Sequence, residues 1–257
     1  MTTLLEVRNL TKRFGGLTAV NKFSTELAAG ELCALIGPNG SGKTTIFNVI
    51  TGIYEPTDGN IVFDSEDISG IRPDQITKRG IARTFQNIRL FKGLNVLENV
   101  IIGKHLRLEA NPISAVLHLP NYQAEEKEMR SAGMTLLESL GLDRFAYDEP
   151  TSLPYGLQRK LEIARALATE PRLLLLDEPA AGMSPSDAEE LMIFIQHILE
   201  TFDLTVFLIE HQMRVVMGIC PRIIVIDHGE KIAEGDPDQI QNDARVIEAY
   251  LGVENNA

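Results

Sequence analysis

The chain has 257 residues, 44% of them hydrophobic, with a formal charge of −12 at pH 7 and a sequence pI near 4.9. That length buries a core as one large domain or two small ones, and the acidic balance excludes nucleic acid as the expected partner, since phosphate backbones call for basic surfaces. No apolar run approaches the ~20 residues that span a bilayer, and the opening MTTLLE has no basic segment ahead of an apolar one. Cys33 and Cys220 lie in apolar surroundings that suit buried thiols in a reducing compartment, with the cytosol as the default expectation.

In chain order, LLEVRNL and GLTAVNKFSTEL read as short alternating strands separated by glycine turns, an antiparallel layer. From Glu31 the pattern changes. ELCALIG is an apolar strand, GPNGSGKTT a glycine-rich loop and TTIFNVITG a helix, which opens a parallel α/β architecture. GNIVF at 59–63 adds a strand ahead of a polar segment. From about Leu94 to Leu142 the reading is helical: Asn95 and Glu98 resemble a capping pair, and Met129, Gly133, Leu136, Leu137 and Leu140 keep helical spacing up to a stop at Gly141. Residues 105–122, punctuated by Pro112 and Pro120, look like an insertion. The α/β pattern then resumes with RLLLLDEP (172–179), a helix to about Glu200, LTVFLIEH (204–211), another helix, and RIIVIDHGEKIAEG (222–235), a hairpin turning near His228–Gly229. The two apolar runs predict parallel strands covered on both faces. A closing helix is predicted over 236–251.

Gly37-Pro38-Asn39-Gly40-Ser41-Gly42-Lys43-Thr44 matches the phosphate-loop pattern G-x-x-x-x-G-K-[ST] between a strand and a helix. The glycines let backbone N–H groups curl around a phosphate, Lys43 supplies a point charge, and the Thr44 hydroxyl can ligate Mg²⁺. Asp177 and Glu178 close a buried strand at the carboxyl edge where open α/β sheets bind ligands; alone they are equally the solvated end of a strand. His211 ends the next apolar strand, and Gln86 sits in ARTFQNIRLF where the core passes into the helical part; each reads equally as a structural polar group. Leu153-Pro154-Tyr155-Gly156-Leu157-Gln158 leads into a strongly helical run, a plain connection or an anion-binding helix start.

The order of these pieces, phosphate loop at 37–44, Gln86, glycine-bearing loop at 153–158, a Walker B strand with its carboxylates at 173–178 and His211, resembles the ATP-binding cassette (ABC) ATPases across nearly the whole chain. The resemblance implies an α/β fold: a RecA-like P-loop NTPase core with an antiparallel β subdomain (together 1–92 and 159–257) and an inserted α-helical subdomain (93–158), in one nucleotide-binding domain. It implies ATP and Mg²⁺ as ligands and a head-to-tail dimer with a second such ATPase, identical or different. Residues 37–44 with Thr45 would bind nucleotide, Phe14 would stack on adenine, unless it is a core residue of the β layer, and Val20 would lie beside the ribose. Thr44, Gln86 and Asp177 would serve the metal, Glu178 would act as general base, His211 as the switch histidine, and Tyr155, Gly156 and Gln158 would reach the nucleotide of the opposing subunit. Two departures stand out: Pro154-Tyr155 replaces the usual serine-glycine of the signature, removing a hydroxyl, and Ser184 replaces a frequent aspartate after the carboxylates. RFGGLTAV, RTFQNIRLF, DEPAAGMSP, EHQMRVVMGI and VIEAYLG are similar to the ATPase subunits of branched-chain amino-acid importers, with urea or short-amide importers and the lipopolysaccharide-export ATPase as related classes. That resemblance implies integral-membrane permease subunits as partners, an extracytoplasmic solute-binding protein acting indirectly, and a place on the cytoplasmic face of the cell membrane. A soluble ABC protein acting on DNA or ribosomes, or a nucleotide kinase, fits less of the pattern.

Overall fold

The computed structural model describes residues 2–104 and 120–254. Most of the expected insertion at 105–122 lies outside the described residues. The chain divides into two compact units, one formed by Met1–Gln86 with Arg172–Ala257 and the other by Asn87–Pro171.

The first unit holds two sheets. β1 (Thr3–Phe14) and β2 (Leu17–Ala28) pair antiparallel, with β4 (Asp58–Phe63) and β5 (Glu66–Asp67) extending the sheet in the order β2-β1-β4-β5. Where sequence alternation suggested short strands, β1 and β2 are 12 residues each. Bulges reconcile the two: the register shifts between Val7 and Leu10, and Asn9 and Lys22 take positive φ, so the period-2 pattern breaks while the ladder continues.

The second sheet has the order β10-β9-β3-β8-β7-β6, from β3 (Leu32–Ile36), β6 (Ile81–Arg83), β7 (Leu173–Asp177), β8 (Thr205–Ile209), β9 (Arg222–Asp227) and β10 (Glu230–Gly235). All its pairings are parallel except the hairpin of β9 with β10, which turns at His228–Gly229 as expected. β3, β7 and β8 are buried at every residue, as continuous apolar runs require of strands covered on both faces. One apolar core joins the two sheets, with Leu5, Phe23 and Phe63 from the antiparallel layer, Leu35, Phe207 and Ile224 from the parallel one, and Phe47 of α1 (Lys43–Ile50). The polar segment after β4 contains β5, a short helix α2 (Pro73–Lys78) and β6, none of which has an apolar period of its own.

In the second unit, α3 (Val96–Lys104) starts at a reciprocal capping pair: the Glu98 N–H donates to Asn95 Oδ1 at 2.8 Å and the Asn95 N–H to Glu98 Oε2 at 2.9 Å. α4 (Pro120–Ser139) and α5 (Tyr155–Leu167) both pack against α3. The unit runs past the expected 93–158 at both ends. The α5 helix, split by the sequence-based boundary, is anchored within it as one piece: the Arg89 N–H donates to Glu162 Oε1 at 3.2 Å and Arg165 donates to the Arg89 carbonyl.

The remaining helices belong to the first unit: α6 (Pro185–Thr201), α7 (Met213–Ile219), α8 (Pro237–Asn242) and α9 (Ala244–Glu254). The single closing helix expected over 236–251 is therefore two. Asp243 is extended, and its carboxylate accepts the Arg245 N–H at 2.8 Å, so it starts α9 rather than continuing α8.

Candidate nucleotide site

The phosphate loop joins β3 to α1 because glycine alone fits its turns. A Cβ at Gly37 would stand 2.1 Å from the Ile226 carbonyl oxygen, and one at Gly42, where φ is +106°, would stand 2.5 Å from that of Ala19. The β9–β10 turn braces the loop, with the Gly229 N–H donating to the Ser41 carbonyl at 2.9 Å and the Asn21 N–H to the Gly229 carbonyl at 2.9 Å. Gly37 and Pro38 are buried, Asn39, Gly40 and Thr44 are exposed, and Thr45 is half-buried. Lys43 is buried, and its ammonium group donates to the Gly37 and Pro38 carbonyls at 2.8 and 2.9 Å. Burial pulls its pKa down, against the pull of Glu178 and Asp177. The Ser41 hydroxyl is buried with no hydrogen-bond partner among the described residues, and a Cβ on Gly37 would stand 2.8 Å from it.

At the carboxyl ends of β7 and β8 the structure brings together three of the predicted residues. Gln86 Nε2 donates to Glu178 Oε2 at 2.8 Å, and His211 Nδ1 lies 3.6 Å from that same oxygen. Glu178 takes φ +46°, a left-handed conformation that a non-glycine residue holds only where its surroundings over-determine it, and its N–H is tied to the Ile209 carbonyl at 2.9 Å. Asp177 is buried, and its Oδ2 accepts from Arg83 at 2.7 Å.

Phe14 is 40% exposed at the end of β1, its ring edge-on to Tyr54 with centroids 5.1 Å apart and Lys12 Nζ 5.0 Å from its centroid, so it is a surface platform and no core residue of the β layer. Val20, expected beside a ribose, is wholly buried in the core; its Cγ2 would lie 3.5 Å from a Cβ on Gly42, so it supports the loop from within. Ser184 caps α6, accepting the Asp187 N–H at 3.2 Å and donating to the Asp187 carboxylate at 2.8 Å.

In the second unit, Tyr155 is half-exposed at the start of α5, and Gln158 Nε2 turns back to the Leu153 carbonyl at 2.8 Å. A Cβ added at Gly156 would meet nothing within 4 Å, and its φ is an ordinary one.

Sequence reasoning missed Arg83, Glu210 and Tyr250. Arg83 precedes the noted Gln86 by three residues, and a basic residue at the end of an edge strand beside a buried carboxylate is a pairing signal that only strand order reveals. Glu210 adjoins His211 and is fully buried, receiving the Ala180 N–H at 2.9 Å. The Tyr250 hydroxyl of α9 is buried beside the Gly37 backbone, with its pKa pushed up to about 12 by burial.

A glycine cradle, a lysine and an adjoining hydroxyl at a helix start, with two carboxylates at the end of β7, the strand next but one in the sheet, define a P-loop nucleotide-binding module, and its donors fit a nucleoside triphosphate with Mg²⁺. Family models place the module: residues 20–181 match that of the ABC transporter, and residues 230–255 match that of the branched-chain amino acid ATP-binding cassette transporter. The chain belongs to the ABC transporter ATP-binding family. It is 44% identical over 249 residues (97% of this chain, 98% of the relative) to the high-affinity branched-chain amino acid transport ATP-binding protein LivG of Escherichia coli K12. It is 43% identical, with the same coverage, to BraF of Pseudomonas aeruginosa, which bears the same description. Among solved structures, the ADP conformation of MJ1267, an ATP-binding cassette of an ABC transporter, superposes with a TM-score of 0.86 at 31% identity over 98% of this chain and 100% of that one.

Proposed function

We propose that this chain is the ATP-hydrolysing subunit of a membrane importer for branched-chain amino acids. The observation that carries the reading is the convergence of Gln86 and His211 on one oxygen of Glu178, at the carboxyl end of the strand next to the phosphate-loop strand's neighbour β8. Glu178 accepts or orients the proton of an attacking water, Gln86 holds the carboxylate in place and reports on the nucleotide, and His211 completes the site on its far side. Residues 37–45 bind the phosphates, with Lys43 exchanging its loop carbonyls for phosphate oxygens; Phe14 offers a face to the adenine. Thr44, Gln86 and Asp177 would hold Mg²⁺, which would neutralise charge on the phosphates when bound. Arg83 holds Asp177 in place by donating to its Oδ2.

Among the described residues nothing requires glycine at position 156, which supports the reading that Tyr155, Gly156 and Gln158 face the nucleotide of a second ATPase subunit. Such sharing makes ATP favour the closed pair over the open one, the free-energy difference that drives transport. The partners are two integral-membrane permease subunits and a second cassette, with an extracytoplasmic solute-binding protein delivering the solute. Among the described residues no helix is long and apolar enough to cross a membrane, so attachment to the cytoplasmic face runs through the permeases.

The test is affinity purification of tagged Glu178→Gln from detergent-solubilised membranes with Mg-ATP, followed by leucine, isoleucine and valine uptake into vesicles bearing the wild-type assembly. Recovery of multi-spanning subunits with a second cassette, and ATP-dependent uptake of those amino acids, is the expected result. Recovery of an assembly that hydrolyses ATP but moves none of the three would refute the solute assignment and leave the ATPase reading in place.

A further inference from the structure

Glu210 lies between β8 and His211 and has no exposed surface. Its Oε1 accepts the Ala180 N–H at 2.9 Å, while Oε2 accepts the N–H groups of His211 at 3.1 Å and Gln212 at 3.5 Å. The Gln212 side chain returns to Ala180 by donating to its carbonyl at 3.2 Å. Both backbone polar groups of Ala180 are thus held by the segment 210–212, and Ala180 stands two residues beyond Glu178.

We infer that Glu210 is a positioning residue for hydrolysis, strapping the turn that carries Glu178 to the turn that carries His211. The inference rests on the ATPase reading above. Glu178 is left-handed, with its N–H on the Ile209 carbonyl and its own carbonyl receiving the Ala181 N–H at 3.1 Å. Releasing Ala180 frees one end of that turn, and the Glu178 carboxylate then swings relative to the imidazole 3.6 Å away. A carboxylate suits the strap where an amide does not, because three donors converge on its two oxygens and a glutamine NH₂ would confront either one or two of them donor to donor. Burial of the charge is costly and raises the Glu210 pKa, a cost that the three backbone donors and His211 offset only in part. Among the described residues Glu210 bonds to Ala180, His211 and Gln212, outside the phosphate loop, so nucleotide affinity is expected to be independent of it.

The experiment compares wild type and Glu210→Gln as full-length chains in the assembly with which they co-purify, measuring thermal stability, Mg-ATP affinity and steady-state phosphate release. The expected result is a folded variant with a modest fall in melting temperature and unchanged Kd, with kcat lower by roughly 10²-fold, the scale of a catalytic group displaced by about 1 Å. Should Glu210→Gln fail to fold, Gln212→Ala, which removes only the second tie to Ala180, gives the same discrimination through a smaller fall in kcat at constant Kd. An intact variant with wild-type kcat, or one whose Kd weakens in step with kcat, overturns the inference while the ATPase reading stands. A wild-type assembly that binds ATP and releases no phosphate overturns both.

Discussion

Arg83 and Asp177 form an ion pair at 2.7 Å, with side chains only 6% and 5% exposed. The same guanidinium donates to Asn48 Oδ1 at 2.7 Å and Thr51 Oγ1 at 3.4 Å, so β6, β7 and the end of α1 meet on one side chain. The carboxylate next to Glu178, the proposed general base, is therefore held by the edge strand of its sheet.

Removing one partner of a buried pair strands the other charge. Arg83→Met is expected to lower unfolding free energy by about 3–5 kcal/mol in urea titration, whereas Arg83→Lys, which keeps the charge but loses the planar fork, falls between it and wild type. A wild-type midpoint for Arg83→Met would show that the pair does not hold Asp177.

Two glycines give opposite outcomes. Gly42→Ala puts a methyl 2.5 Å from the Ala19 carbonyl oxygen in a left-handed residue, and is expected to cost about 1–3 kcal/mol and to abolish binding of a fluorescent ATP analogue. Gly156→Ala meets nothing, and is expected to leave stability equal or up to about 1 kcal/mol higher, because alanine loses less backbone entropy in a helix. Its nucleotide binding stays at wild-type level while ATPase activity of the assembly falls. Full activity in Gly156→Ala would contradict the reading that this residue faces a partner's nucleotide.

Much of this was legible from residues alone, for definite reasons. Apolar runs such as LLLLD and TVFLI can be satisfied only between two covered faces, and a phosphate loop has a spacing that ordinary turns do not share. What stayed hidden depends on pairing across the chain. β6 is three residues long and becomes a strand only because β7 offers it a ladder, so Arg83 could not be matched to Asp177, 94 positions away. Val20 shows the converse: its place in a motif suggested a ligand contact, but alternation along β2 turns it into the core. The two helices at the end read as one because Asp243 is compatible with a helical pattern, and only its bond to the Arg245 N–H shows that it caps.

The Asn95–Glu98 box fixes the start of α3 in the helical unit. Asn95→Ala removes the acceptor for the Glu98 N–H and is expected to cost about 1 kcal/mol, while Asn95→Asp retains it and stays near wild type. Chemical denaturation of the two variants side by side is the check; equal losses would mean that the side chain acts through something other than the cap.

Glu162 provides a pH signature for the α5 anchor. It is buried, with Oε2 accepting from Arg159 Nη1 at 2.7 Å and Oε1 receiving the Arg89 N–H, and Arg165 lies near enough to favour its charge. Desolvation outweighs these partners and raises its pKa above the ordinary 4.5. A carboxyl whose pKa is higher folded than unfolded binds more protons in the native state across the interval between the two values, so its contribution to stability is greatest below about 4.5 and declines as pH rises through the folded value. Glu162→Gln has no proton to exchange at that site. The stability of wild type relative to Glu162→Gln, measured by urea unfolding at steps from pH 4.5 upward, is therefore expected to fall as pH increases. A difference that grows with pH would mean that Arg159 and the Arg89 amide outweigh burial and hold the carboxylate ionised, reversing the sign of the anchor's pH dependence.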